Sequence, residues 1–149
     1  MSFAVDLQDG KKAEELVRFK LSQTGKFVGI WDCSDDSYFQ NKDIDILALK
    51  EDGGIVKIEV KADRQAHRTG NLAWEQKTSG NIGCFAKTEA DFIMYYTIGD
   101  GSLYIFKPYE LRRYIERCNL PLKRMGDNAE GYLLNIKELL KKGKIKEVL

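Results

Sequence analysis

The pattern of apolar and polar positions is sharpest between residues 43 and 62. Segment 56–62, Val56-Lys57-Ile58-Glu59-Val60-Lys61-Ala62, alternates strictly, at the period of two that a half-buried strand requires. Val56, Ile58 and Val60 face one way, and Lys57, Glu59 and Lys61 share the other face. Segment 43–49, Asp43-Ile44-Asp45-Ile46-Leu47-Ala48-Leu49, opens with the same alternation, so Asp43 and Asp45 point together. The turn formers between the two segments, Lys50 to Ile55 with Gly53-Gly54, predict an antiparallel hairpin. Parity then selects the loop, because residues directly opposite in a ladder share a face. A two-residue loop at Gly53-Gly54 would send Asp45 and Glu59 to different faces. A loop of three, Asp52 to Gly54, sets Asp45 against Lys61 and Leu47 against Glu59. It also matches Ile46 with Val60 and Ala48 with Ile58 on the buried side.

The flanking pattern is that of an α/β chain. Ala13, Leu16, Val17, Lys20 and Leu21 recur at helical spacing over 11–23, and Gly25 stops the helix. Residues 26–31 read as a strand and 63–71 as a polar loop containing Thr69-Gly70-Asn71. Leu72 to Lys77 reads as a short helix. Ala90 to Tyr96 reads as a buried strand, Gly99 to Ser102 as a turn, and Leu103 to Phe106 as its antiparallel partner. Pro108 starts a helix to about Cys118. The tail from Asn119 holds Gly126-Asp127-Asn128 and an amphipathic segment near Ile136, Leu139 and Leu140, which caps the core or serves a dimer contact. The sum is a mixed sheet of about five strands flanked by helices, in one domain spanning 1–149.

Composition narrows the function classes. A net charge of +1 offers no global attraction to nucleic acid, so any such binding rests on local patches. One patch, Lys61, Arg64, His67 and Arg68, runs off the 56–62 strand, with Thr69 and Asn71 beside it. Others are Arg112 to Arg124 and Lys141 to Lys146. No segment approaches the ~20 apolar residues of a membrane span, and the first residues lack the regions of a signal peptide, which points to a cytoplasmic protein without a membrane partner. Cys33, Cys84 and Cys118 have neither zinc spacing nor a disulfide framework. His67 is the only histidine, which removes zinc sites built on several histidines. Phosphate-binding glycine loops, dinucleotide fingerprints and nucleophilic-serine elbows are absent.

Two carboxylates and an amine on one face of a hairpin are the equipment for metal-assisted phosphodiester cleavage. In the three-residue-loop register, Glu59 is the diagonal neighbour of Asp45, with β-carbons roughly 7 Å apart, close enough to share one cation. Mg²⁺ takes a few carboxylates plus waters and substrate phosphates. It polarises the phosphate and generates hydroxide near neutral pH, while Lys61 would hold the attacking water and screen developing charge. The same residues also describe a surface hairpin with a solvated charged face and a Lys61–Asp45 cross-strand pair. Against that reading, the strands are rich in Ile, Val and Leu, and Asp43 opposite Asp63 would be a like-charge pair.

Asp45 on one strand and Glu59-Val60-Lys61 on the next resemble the PD-(D/E)xK nuclease superfamily. Gly10-Lys11-Lys12-Ala13-Glu14-Glu15-Leu16-Val17 is further similar to the N-terminal helix of archaeal Holliday-junction resolvases and related phage endonucleases. The resemblance spans about residues 10 to 106. Ile44 stands where a proline precedes the acid, and 69–76 does not look like the resolvase helix. The resemblance implies a restriction-endonuclease-like core and a Mg²⁺- or Mn²⁺-dependent DNA endonuclease. Asp45, Glu59 and Glu14 would be metal ligands, Lys61 the catalytic lysine, and Asp43, Glu75 or Gln76 auxiliary groups. Arg64, His67, Arg68, Thr69 and Asn71 would meet the nucleic-acid backbone. Branched DNA and a two-fold dimer go with the resolvase branch. A nucleic-acid-binding module without chemistry and an RNA-cleaving nuclease remain the alternatives.

Overall fold

In the computed structural model, which describes residues 3–125 and 128–148, helix α1 (Phe3–Gln23) starts well before residue 11 and runs through Gly10. Ala13, Val17 and Leu21, spaced four apart, form its buried stripe, and the chain leaves the helix through Gly25 at φ 68°. The chain continues through β1 (Phe27–Asp32), α2 (Ser37–Gln40), β2 (Ile46–Lys50), β3 (Ile55–Asp63), α3 (Ala66–Thr69), β4 (Asn71–Thr78), β5 (Asn81–Ile82) and α4 (Cys84–Lys87). It ends with β6 (Phe92–Thr97), β7 (Ser102–Phe106), α5 (Pro108–Cys118), β8 (Lys123–Met125), β9 (Ala129–Asn135), α6 (Ile136–Lys141) and β10 (Lys146–Glu147). Gly126 and Asp127 of the Gly126-Asp127-Asn128 run lie outside the described residues.

A six-stranded mixed sheet has the order β1-β2-β3-β6-β7-β10. Its neighbours are antiparallel except β3 and β6, which run parallel. A parallel pair needs a crossover, and this one carries α3, β4, β5 and α4. One face of the sheet packs Ile46, Ile58, Val60, Met94 and Leu103 against Ala13, Val17 and Leu21 of α1. The other packs Ile93, Tyr95, Tyr104 and Phe106 against Leu72, Trp74, Phe85, Leu111 and Leu134. This second layer includes a four-stranded antiparallel sheet, β5-β4-β9-β8.

The hairpin forms with an odd loop, but one notch away from the expected register. Lys50 N–H donates to Gly54 O at 2.8 Å, so the three loop residues are Glu51, Asp52 and Gly53. Gly53 takes φ 89°, and Asp52 Oδ1 accepts from Gly54 N–H. The ladder therefore pairs Ile46 with Ile58, Leu47 with Lys57 and Ala48 with Val56, two residues from the expected match. A shift of two preserves faces within the ladder, while Asp45 stands just before it, with its N–H on Ile58 O rather than opposite Lys61. Asp43 leaves the ladder altogether at φ 54°, which removes the expected Asp43–Asp63 opposition.

Leu72 to Lys77 is strand, not helix. Ala, Glu, Gln and Lys favour a helix locally, but Leu72 and Trp74 are buried at a spacing of two, and β4 is paired along its length by β9. Tertiary pairing overrides the propensity. The β4–β9 register shifts between Glu75 and Lys77, and there the backbones approach closely. A β-carbon on Gly131 would lie 1.8 Å from Trp74 O, whereas one on Gly10 meets nothing within 4 Å.

Two glycine substitutions check this packing. Gly131→Ala should destabilise by about 2 kcal/mol or more, in the range of forced overpacking. Gly10→Ala, in an open helical position, should stabilise by roughly 0.5–1 kcal/mol. Urea denaturation of the two variants gives both values, and an unaltered midpoint for Gly131→Ala would contradict the close β4–β9 approach.

Candidate functional site

Asp45 sits just before β2, where the chain rejoins the sheet after α2. Its N–H donates to Ile58 O at 2.9 Å, and its carboxylate Oδ2 accepts from Val60 N–H at 2.7 Å. The side chain thus crosses the end of the β2–β3 ladder toward Glu59 and Lys61. Glu59 and Lys61 lie beside Ile93 and Tyr95 of β6 in the parallel ladder, on the face covered by the second layer. Glu59 is consequently 2% exposed, where the alternating pattern had suggested a solvated charged face. Lys61 Nζ lies 3.3 Å from Glu59 Oε1 and 5.8 Å from the centroid of the Phe85 ring.

The carboxyls carry the electrostatic signature of a crowded, dry cluster. Burial, with further contributions from Asp43 and Asp45, raises the Glu59 carboxyl to about 7, against the opposing pull of Lys61 and the Thr88 hydroxyl. Burial also raises Asp45, with Asp43 and Asp32 adding to it and the Val60 N–H and Lys61 opposing. Glu14 approaches from α1, where its position beside Ala13 and Val17 turns it inward. It is 9% exposed and raised to about 7 by burial and then by Asp45. Oxygen Oε2 of Glu59 and Oε2 of Glu14 are buried without a hydrogen-bond donor, Lys11 Nζ standing 3.8 Å from the latter. The acids are linked through Asp45, which acts on both Glu14 and Glu59. They do not make a closed cage: among the described residues, no group of three or more His, Cys, Asp and Glu is disposed to hold a metal ion.

Asp43 joins the cluster by another route than the expected strand. Its carbonyl accepts from Thr88 Oγ1–H at 3.0 Å, and its Oδ2 stands 3.3 Å from Lys87 Nζ. Thr88, Lys87 and Arg112 were not singled out for this site by sequence. Their only local signal is an Arg on a helix face and a Thr beside a Lys, which many surfaces share.

The other expected residues are placed elsewhere. Gln76 Oε1 accepts from Trp74 Nε1–H at 3.0 Å, and Glu75 acts on the buried Tyr95 hydroxyl. Neither is among the main charges acting on Glu59 or Asp45. Arg64 makes a forked ion pair with Asp9 of α1, Nη2 to Oδ1 at 2.8 Å. Arg68 donates to Gln65, and Thr69 Oγ1 accepts from Asn71 N–H. The His67 ring lies over Gly99, where a β-carbon would come within 2.7 Å of Nδ1. His67 and Thr69 line a cavity of about 340 Å³ with Asp100 and Lys137, while Asn71 lines a separate one of about 250 Å³. Residues 63–71, expected as a loop, hold the short helix α3 and are tied both to themselves and to Asp9 and Gly99. Cys33 is a buried free thiol, pushed up to about 11 by burial and neighbouring acids.

Comparison with solved structures finds a similar fold in the bacterial homing endonuclease I-Ssp6803I, with a TM-score of 0.52 and 15% identity. The match covers 84% of this chain and 76% of that one. At this identity the likeness is one of fold, and it makes the α/β arrangement a nuclease-like one. No protein-family model matches the chain, and no curated protein matches it. Among the described residues, no helix is long and apolar enough to cross a membrane.

The raised carboxyls set a pH dependence. Glu14 and Glu59 titrate near 4.5 when unfolded and near 7 when folded, so between those values the folded state binds more protons. Stability of the protein in chelator should therefore be fullest below about pH 4.5 as far as these two groups contribute. It should fall as pH rises through 7. Glu59→Gln removes one titrating group, so its melting temperature should decline less between pH 5 and pH 8 than that of the wild type. Equal declines would contradict the raised Glu59.

Proposed function

We propose that this chain is a divalent-metal-dependent DNA endonuclease of the PD-(D/E)xK superfamily. The observation carrying the reading is Glu59, a buried carboxylate with one oxygen unpartnered, set beside Asp45 and 3.3 Å from Lys61. Burying like charges together is costly unless a cation compensates them. The donor set suits a hard cation, being all oxygen. Mg²⁺ also needs only one or two protein carboxylates, the rest of its shell coming from water and substrate phosphate. Asp45 and Glu59 would hold Mg²⁺ or Mn²⁺, with Glu14 of α1 adding negative charge beside Asp45 without completing a three-acid cage. When bound, such an ion supplies Lewis acidity toward the phosphate and a nucleophilic water near neutral pH.

The protein's own groups divide the remaining work. Val60 N–H orients the Asp45 carboxylate. Lys61, whose side chain is 31% exposed, sets its amine 3.3 Å from Glu59, where it would meet the scissile phosphate and offset charge developing there. Similarity to a homing endonuclease supports DNA as the polymer. A four-way junction cut symmetrically would require two copies related by a two-fold axis.

Incubating the protein with duplex, single-stranded, flapped and four-way DNA and with RNA, in Mg²⁺, Mn²⁺ or EDTA, tests the reading. Metal-dependent DNA cleavage is expected. Lys61→Ala should lower kcat by about 10²–10³-fold and Glu59→Ala by at least as much, with DNA binding changed only a few-fold. Cleavage that persists in EDTA, or in Glu59→Ala, would refute the site. Salt-sensitive binding with no cutting of any substrate would instead favour a binding module on this fold.

A further inference from the structure

Between α4 and β6 the chain is stitched to the segment that carries Asp43 and to β3. Glu89 N–H donates to Lys42 O at 3.0 Å, and Asp91 N–H donates to Lys57 O at 2.8 Å. Lys57 N–H returns a bond to Asp91 Oδ2 at 2.8 Å. At the centre is Thr88, 5% exposed. Its hydroxyl donates to Asp43 O at 3.0 Å and accepts from Ala90 N–H at 3.2 Å. From behind, Arg112 Nη2 of α5 donates to Phe85 O at 3.1 Å and to Thr88 O at 3.0 Å. The charge of Glu59 acts on its guanidinium.

We propose that Phe85 to Asp91 is a clamp on the acid cluster, in which the Thr88 hydroxyl sets the orientation of the Asp43–Asp45 turn while Arg112 holds Thr88 in place. The two residues are positioning residues. Three observations support the assignment. Asp43 holds φ 54°, a conformation that residues other than glycine rarely keep without outside contacts, and its carbonyl contact to Thr88 is such a restraint two residues before Asp45. Thr88 is 5% exposed, and its hydroxyl is committed on both sides, to Asp43 O as donor and to Ala90 N–H as acceptor. Arg112 fixes the carbonyls of Phe85 and Thr88, leaving its Nε buried without a partner, an expense of burial that placement of Thr88 explains.

This inference rests on the nuclease reading, and the test separates the two. Thr88→Val keeps the shape and removes the hydroxyl, Thr88→Ser restores it, and Arg112→Met keeps the stem but removes both carbonyl bonds. Each is measured for cleavage of duplex DNA and for Mn²⁺ affinity by calorimetry, with circular dichroism and melting to establish folding. Groups that orient metal-binding side chains affect affinity or activity by 10–100-fold. Thr88→Val should therefore lose about 10–100-fold in kcat and in Mn²⁺ affinity, with KM for DNA within about twofold. Thr88→Ser should stay within about threefold of wild type, and Arg112→Met should lose about tenfold on the same two readouts. Unchanged kcat and Mn²⁺ affinity in Thr88→Val, or equal impairment in Thr88→Ser, overturns the clamp. Should Thr88→Val not fold, wild-type behaviour of Arg112→Met overturns it instead, and the expected loss there supports it. A wild type that binds Mn²⁺ but cuts nothing defeats the nuclease reading while the Mn²⁺ affinities still judge the clamp. A wild type that does neither overturns both.

Discussion

The parallel pairing of β3 with β6 is the constraint from which the rest of the arrangement follows. Antiparallel neighbours can be joined by a tight turn, but parallel ones oblige the chain to leave the sheet, cross a face and return. Here the crossover carries β4 and α4, and it brings Trp74 and Phe85 onto the side of the sheet where Glu59 and Lys61 project. The charged face of an apparently amphipathic strand thereby becomes interior at Glu59, while Lys57, two residues earlier, stays outside that cluster. The acid cluster sits where covered and uncovered parts of the sheet meet, with Lys61 at its border.

That placement has an electrostatic consequence. Carboxylates are expensive to bury, and two or more together are worse, which is why Glu14, Asp45 and Glu59 are all shifted upward. Lys61 and the Thr88 hydroxyl offset only part of this. A fold selected for stability alone would hold these positions with apolar residues. Raised carboxyls gathered at one place are more characteristic of sites shaped for a reaction or a cation.

The basic residues make a contrasting case. Runs of Lys and Arg suggested nucleic-acid contacts, yet Arg64 is tied to Asp9 and Arg112 to two backbone carbonyls. Positive charge in this chain therefore serves partly to join elements. Asp45, Glu59 and Lys61 therefore carry the proposal of nucleic-acid chemistry. Charge composition contributes little to it, as the net charge of +1 already indicated.

By itself the sequence determined what is local. The period-two alternation of 56–62, the proline at the head of α5, the glycine after α1 and the odd hairpin loop all act over a few residues, and each is found in the structure. The face of Glu59 in β3 also survived a misplaced loop, because an error of two residues leaves every ladder side chain on its side. The tertiary structure decided whatever depends on distant partners. It made Leu72 to Lys77 a strand through β9, whose sequence begins some fifty residues further along, and it built a second sheet that no local pattern announced. It buried Glu59 and turned Asp43 out of its strand. It also brought Thr88 to Asp43 and Arg112 to Thr88, since hydrogen bonds across 24 to 45 positions of sequence leave no periodic trace in the chain.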